Sequence, residues 1–225
     1  MDSSTFTNPN NDHGSNDISL PPSLEHAKID ALPQTAYYIP NFISEEEEQM
    51  ILNRVSSAPK PRWKHLTKRR LQTWPSDLVN NKLLAAPLPA WLEAPVVSRL
   101  LSLPTQDTEP GHVFHQSPHK KPNHVLINDK EDGALDSVPA WRILQEPRSL
   151  LITTDQLYTD YLHGIADIDE DLDLSADTVA NWGLLRSPDA YDGGRNVRQT
   201  RTSLTYRDVL QVSKVANKLG MFLKR

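Results

Sequence analysis

The chain has 225 residues, a formal net charge of −5 and no cysteine. That length suits one domain with a real core plus some tail, and the missing thiols exclude a disulfide framework and any thiolate metal site. The acidic balance excludes coating of nucleic acid by overall charge, so only a local basic patch could serve that purpose.

Residues 1–34 are rich in Ser, Asn, Asp and Pro and are expected to form a disordered tail. Met1–Ile18 is polar, no apolar run approaches the ~20 residues that cross a bilayer, and a soluble intracellular protein follows. The domain is read as 35–225. Tyr37 to Pro40 reads as a short strand. Ser44, followed three residues later by Glu47, is a capping-box signature that predicts a helix over about 45–57, with Glu45 to Glu48 in the dipole-favoured first turn. Four consecutive glutamates point around a helix rather than converging on a metal.

From Lys60 to Trp74 the composition turns basic and aromatic. Arg62, Trp63, Arg69, Arg70 and Trp74 could neutralise phosphates and stack bases, the chemistry of single strands and flipped bases. The same composition also suits an exposed loop anchored by its tryptophans. Leu83 to Leu103 reads as a packing helix. His112, His115 and His119 lie among prolines in an expected loop rather than on a metal-binding face. Asn123 to Asn128, Trp141 to Gln145 and Ser149 to Thr153 read as strands, the last two separated by a turn at Glu146-Pro147-Arg148. Tyr158 to Ile165 is a strand or turn that presents His163. Residues 166–196 read as a solvated acidic insertion, Arg201 to Arg207 as a strand, and Val209 to Leu223 as a closing helix or strand.

In the Arg201 strand, Arg201, Ser203, Thr205 and Arg207 share one face. If that face were enclosed, its guanidiniums would need anionic partners, and a small dicarboxylate would suit them. The alternative is an edge strand with a wet polar face. His163 is either a core imidazole or a ligand. No histidine in the chain has an acidic residue two positions later.

Taken in order, Ala36-Tyr-Tyr-Ile-Pro-Asn-Phe-Ile-Ser44, Ala58-Pro-Lys-Pro-Arg-Trp63, Arg70-Leu-Gln-Thr-Trp74, Leu88-Pro-Ala-Trp91, Asn123-His-Val-Leu-Ile-Asn128, Glu146-Pro-Arg-Ser-Leu-Leu151, Leu162-His-Gly-Ile165 and Arg201 to Arg207 resemble the AlkB-type iron and 2-oxoglutarate dioxygenases, most nearly the sixth eukaryotic subfamily. The resemblance implies an α+β fold, a double-stranded β-helix (jelly roll) with supporting helices. It implies His163 as an Fe(II) ligand, and Asn128, Arg201, Ser203, Thr205 and Arg207 as the 2-oxoglutarate site, with Arg201 at the distal carboxylate. The segment 60–74 would face a nucleic-acid or protein substrate, in a monomer of nucleus and cytoplasm that oxidatively demethylates or hydroxylates that substrate.

Two features depart from the family pattern. Lys130 stands where the Asn-x-Tyr motif has tyrosine, and only 17 residues separate Asn128 from Glu146, leaving no room for His-x-Asp and its strands. An iron site of this type needs two histidines and a carboxylate. The expectation is therefore an incomplete barrel with impaired iron binding. The alternatives are a catalytically inactive module binding nucleic acid or an anion, and a shortened, non-functional isoform.

Overall fold

The computed structural model describes residues 18–33, 35–66, 69–108, 110–130, 139–166 and 168–213. Folding begins earlier than composition suggests. Leu24, Ala27, Ile29 and Leu32, from the stretch expected to be tail, are all buried. The Leu24 amide donates to the Pro104 carbonyl at 2.9 Å, and Ser23 and His26 both grip Asp107. A few well-placed apolar side chains suffice where an existing surface receives them. The first 17 residues lie outside the described ones.

Strand β1 (Ala36–Ile39) leads into helix α1 (Glu45–Ser56). The capping box is present: the Ser44 hydroxyl accepts from the Glu47 amide at 3.2 Å, and the Glu47 carboxylate accepts from the Ser44 amide at 2.9 Å. Glu47 also receives a bidentate pair of bonds from Arg99, at 2.7 and 2.8 Å, which holds its carboxyl below the usual range. Ile51 and Val55 bury the inner face of α1. Ser44→Ala should cost about 1 kcal/mol, read as a lower urea midpoint at unchanged slope. An unchanged midpoint would mean the cap contributes nothing.

The basic segment, for which an exposed loop is one of two readings, is a 3₁₀ turn (Lys60–Arg62) followed by the antiparallel pair β2 (Lys64–Leu66) and β3 (Arg69–Trp74). The predicted helix over 83–103 is broken up. Leu83–Leu84 is a short strand, β4, followed by α2 (Ala90–Leu92), a π-helical turn (Glu93–Val97) and α3 (Ser98–Ser102). Pro87, Pro89 and Pro95 remove the amides a continuous helix would need. Burial still follows the predicted pattern, with Leu92, Val96, Val97 and Leu100 inside.

Strand β5 (His124–Lys130) is the centre of the main sheet. It pairs antiparallel with β3 on one side and with β9 (Arg201–Arg207) on the other, giving the order β2-β3-β5-β9. Residues directly opposite in antiparallel strands share a face. Val125, Ile127, Gln72, Leu204 and Tyr206 therefore look one way, onto the core built from Ile39, Phe42, Ile51, Val55 and Leu92. Buried Gln72 is satisfied there, donating to the Val55 carbonyl at 2.8 Å and accepting from the Trp74 indole at 3.1 Å.

Strand β6 (Leu150–Thr153) pairs with β1, and helix α4 (Asp155–Thr159) follows it. Just before β6 lies the expected turn. The Ser149 amide bonds the Glu146 carbonyl at 3.3 Å, with Arg148 at φ 65, the geometry of a type II turn after Pro147. Glycine is the easier residue there. Arg148 is held by ion pairs to Glu45 and Glu48, and its carbonyl receives the amides of Phe42 and Ile43.

Trp141 to Gln145 is not a strand, contrary to expectation. A side chain supplies its pairing. Buried Asn181 accepts the Leu144 amide at 2.9 Å and donates to the Leu144 carbonyl at 2.8 Å, while the Ala180 amide bonds the Arg142 carbonyl at 2.8 Å. Tyr158 to Ile165, expected as strand or turn, contains the end of α4 and then irregular chain.

The acidic stretch is less solvated than expected. Strands β7 (Glu170–Asp171) and β8 (Asn196–Val197) pair antiparallel, Glu170 takes a bidentate Arg195, and buried Asp171 takes a bidentate Arg198. Leu174 and Val179 are buried beside them. Strand β10 (Val212–Ser213) pairs with β4 in parallel, and the rest of the expected closing element lies outside the described residues. The architecture is α+β. Among the described residues the strands form one four-stranded sheet and three two-stranded pairs, with no closed barrel.

Candidate functional site

The face of the main sheet opposite the core gathers the five residues singled out from sequence for an anionic co-substrate. Across β5 and β9, Asn128 lies opposite Ser203, Leu126 opposite Thr205, and His124 opposite Arg207, with Arg201 at the far end opposite Lys130. The register thus brings Asn128, Arg201, Ser203, Thr205 and Arg207 onto one surface.

Both arginines are held by neutral groups. Arg201 donates to the Gln145 side-chain oxygen at 2.8 Å, and the Arg207 Nε–H donates to His124 Nδ1 at 3.3 Å. Burial, with Arg198 adding repulsion, depresses the Arg201 guanidinium from its ordinary pKa. Neither arginine has a carboxylate partner among the described residues. Two buried side-chain atoms on this face lack a hydrogen-bond partner, His124 Nε2 and Asn128 Oδ1. His124 is 0 % exposed, and burial first, then the Arg207 charge, pushes its pKa down to about 4. Its ring is therefore neutral near pH 7. With Nδ1 accepting from Arg207, Nε2 carries the proton.

His124 and Gln145 were not singled out from sequence. The even spacing from His124 to Asn128 along one strand was visible. Which residue would lie opposite each required the register.

His163 is exposed, on irregular chain after α4, and its Nε2 is 2.6 Å from the Leu157 carbonyl oxygen, to which it donates. That bond occupies the nitrogen. Among the described residues no three His, Asp or Glu side chains are placed to share a metal ion. The described residues alone do not complete the two histidines and carboxylate of a facial iron centre. They do fit an anion, because the guanidiniums of β9 retain donors and lack a described counter-charge.

The basic-aromatic hairpin is turned partly on itself. Arg62 lies 4.0 Å over the Trp74 ring and donates to the Thr73 and Pro75 carbonyls, Arg70 lies 4.3 Å over the Trp63 ring, and Trp74 meets Trp91 edge-on at 5.7 Å. Trp63 and Trp74 pack against the core, so they anchor the hairpin as well as colouring its surface. Arg69 opens β3.

No family model matches the chain. A curated protein of Danio rerio, named "Probable RNA/DNA demethylase ALKBH6", is 32% identical to it over 240 residues, covering 88% of this chain and 95% of the relative. The chain belongs to the AlkB family. The AlkB alignment is longer than the 225 residues available here even though only 88% of them take part, so the relative carries residues with no counterpart in this chain. No helix among the described residues is long and apolar enough to cross a membrane.

Proposed function

We propose that this chain is an AlkB-family protein of nucleic-acid demethylase descent that keeps the co-substrate face and is impaired at iron. Asn128, Arg201, Ser203, Thr205 and Arg207 form the 2-oxoglutarate face, and His163 is the remaining member of the ligand set. The fold is a jelly roll left open where strands between Asn128 and Glu146 are missing. One observation carries the reading: among the described residues His163 joins no group of three His, Asp or Glu side chains that could hold a metal ion, and its Nε2 is bonded to Leu157. The gapped alignment and the 17 residues between Asn128 and Glu146 support it.

The test is anaerobic titration of the purified chain with Fe(II) and 2-oxoglutarate, followed by visible charge-transfer absorbance, then turnover on a methylated oligonucleotide. No band and no turnover are expected. A saturable band with demethylation would overturn the reading.

A second reading, a binding module for nucleic acid or an anion without turnover, is favoured by the guanidiniums of β9 that lack described carboxylates. If the basic hairpin holds nucleic acid, affinity should fall steeply between low and physiological salt.

A further inference from the structure

The main sheet ends on two unlike edges. On one side stands β2, three residues long and exposed throughout, carrying Lys64 and His65. Shortness and charge are what keep an edge strand from pairing with another chain. On the other side stands β9, seven residues with no lysine, proline or glycine, in which Thr202, Leu204, Thr205 and Tyr206 suit a strand. Among the described residues β9 pairs with β5 alone, so the row of backbone amides and carbonyls on its far side has no strand beside it. Such a row is a template for another strand, and nothing in the sequence of β9 blunts it.

Resting on the reading that strands between Asn128 and Glu146 are missing, we infer that the free edge of β9 is an interaction surface for a second copy of this chain, the two β9 strands pairing antiparallel about a two-fold axis at Thr205. The strand's own sequence chooses the axis. Directly opposed residues share a face, so a two-fold pairing that continues the sheet is centred on a residue. Centring on Leu204 sets Arg201 against the partner's Arg207, opposing like charges at both ends. Centring on Ser203 avoids that but draws in Gln199 and Thr200, which lie outside the strand, and sets Leu204 against Thr202. Centring on Thr205 sets Leu204 against Tyr206 twice over, Thr205 against its own copy and Ser203 against Arg207, with no like charges opposed. Thr205 is also the exposed residue of β9, and Leu204 and Tyr206 pack on the core side, so the core faces of both copies stay on one side of the joined sheet. The assembly closes at two. Its outer edges are the two blunted β2 strands, so growth stops there. A dimer thus replaces the monomer that the family resemblance implies.

The test is sedimentation velocity of the full chain across a concentration series, together with single-cysteine cross-linking. One strand pair is a small interface, so monomer should give way to dimer with a midpoint on the order of 10 μM. Thr205→Lys, which sets two ammonium groups on the axis, should weaken the dimer about tenfold or more, with a melting curve unchanged at concentrations where both proteins are monomers. The chain has no cysteine, so one introduced thiol can pair only with its own copy. Thr205→Cys should form a disulfide-linked dimer under mild oxidation, because opposed Cα atoms lie about 4.5–5.5 Å apart. Ser203→Cys should not, since its two copies sit four residues out of register, about 13 Å. Equal cross-linking of the two variants, or a folded Thr205→Lys chain that dimerised as before, would overturn the pairing. Amide hydrogen exchange separates the remaining failures. A monomer at every concentration whose alternate β9 amides exchange fast would sink this inference alone. A monomer with every β9 amide protected would show the edge covered within the chain, and the open-barrel reading would fail with it.

Discussion

Replacing Glu146 with alanine should cost about 3–5 kcal/mol, the largest loss expected from any single substitution outside the apolar core. Glu146 is 4 % exposed, and its side-chain oxygens receive the Arg186 amide at 2.8 Å, the Ser187 amide at 3.1 Å and the Tyr38 hydroxyl at 3.1 Å. The Tyr38 oxygen in turn accepts the Glu146 amide at 3.1 Å. One side chain thus ties β1, the turn before β6 and the chain between β7 and β8. Truncation would leave two backbone donors and a phenol facing a void, each losing its solvation without a replacement partner. Glu146→Gln should lose less, because one oxygen remains while the new amide group confronts a donor. Tyr38→Phe removes a single hydroxyl and should cost about 1–2 kcal/mol. Urea unfolding of the three variants would check the order, and a Glu146→Ala loss below about 1 kcal/mol would show that the network is relaxed by water.

Acidification from pH 6.5 towards 4 should remove about 3 kcal/mol through His124 alone. Its folded pKa, about 4, lies below its ordinary value of 6.5, because burial disfavours the charged ring and Arg207 repels it, against a smaller pull from Asp77. In this window the unfolded chain takes up a proton that the folded chain refuses. The contribution is whole above about pH 6.5 and is lost as the pH falls through the window. Carboxylates held low by their partners, such as Glu47 and Asp171, act mainly below it, since their protons bind around and below their ordinary values. Thermal melts at half-unit steps should show a slope that His124→Asn flattens. Parallel curves for the two proteins would exclude His124 as its source.

The sequence made legible those elements whose signals are local. Ser44 and Glu47 announced α1, the β-branched run announced β5, and strict alternation put Arg201, Ser203, Thr205 and Arg207 on one side of β9. Features fixed by distant contacts were not legible. The burial of Leu24 and Ile29 depends on surfaces and strands that arrive later in the chain, and the carboxylate of Asp171 is drawn in by Arg198, 27 residues on. Cations mixed with tryptophans suited a loop as well as a nucleic-acid surface, because composition says nothing of the pairing of β2 with β3 or of the stacking of Arg70 on Trp63. In the site, residue types were readable and partners were not. That His124 would aim Arg207 is a property of one register, and a shift by a single residue would send the imidazole to the opposite face.

The amide of Asn181 clasps Leu144 at both its backbone groups, two residues before Glu146. Chain entering this point is pinned at one residue, through the two peptide units that flank it. A change of length confined to the chain between β5 and Trp141 should therefore meet this clasp before it reaches the Glu146 network, a firebreak that leaves β1 and β5 their pairing with β6 and β9.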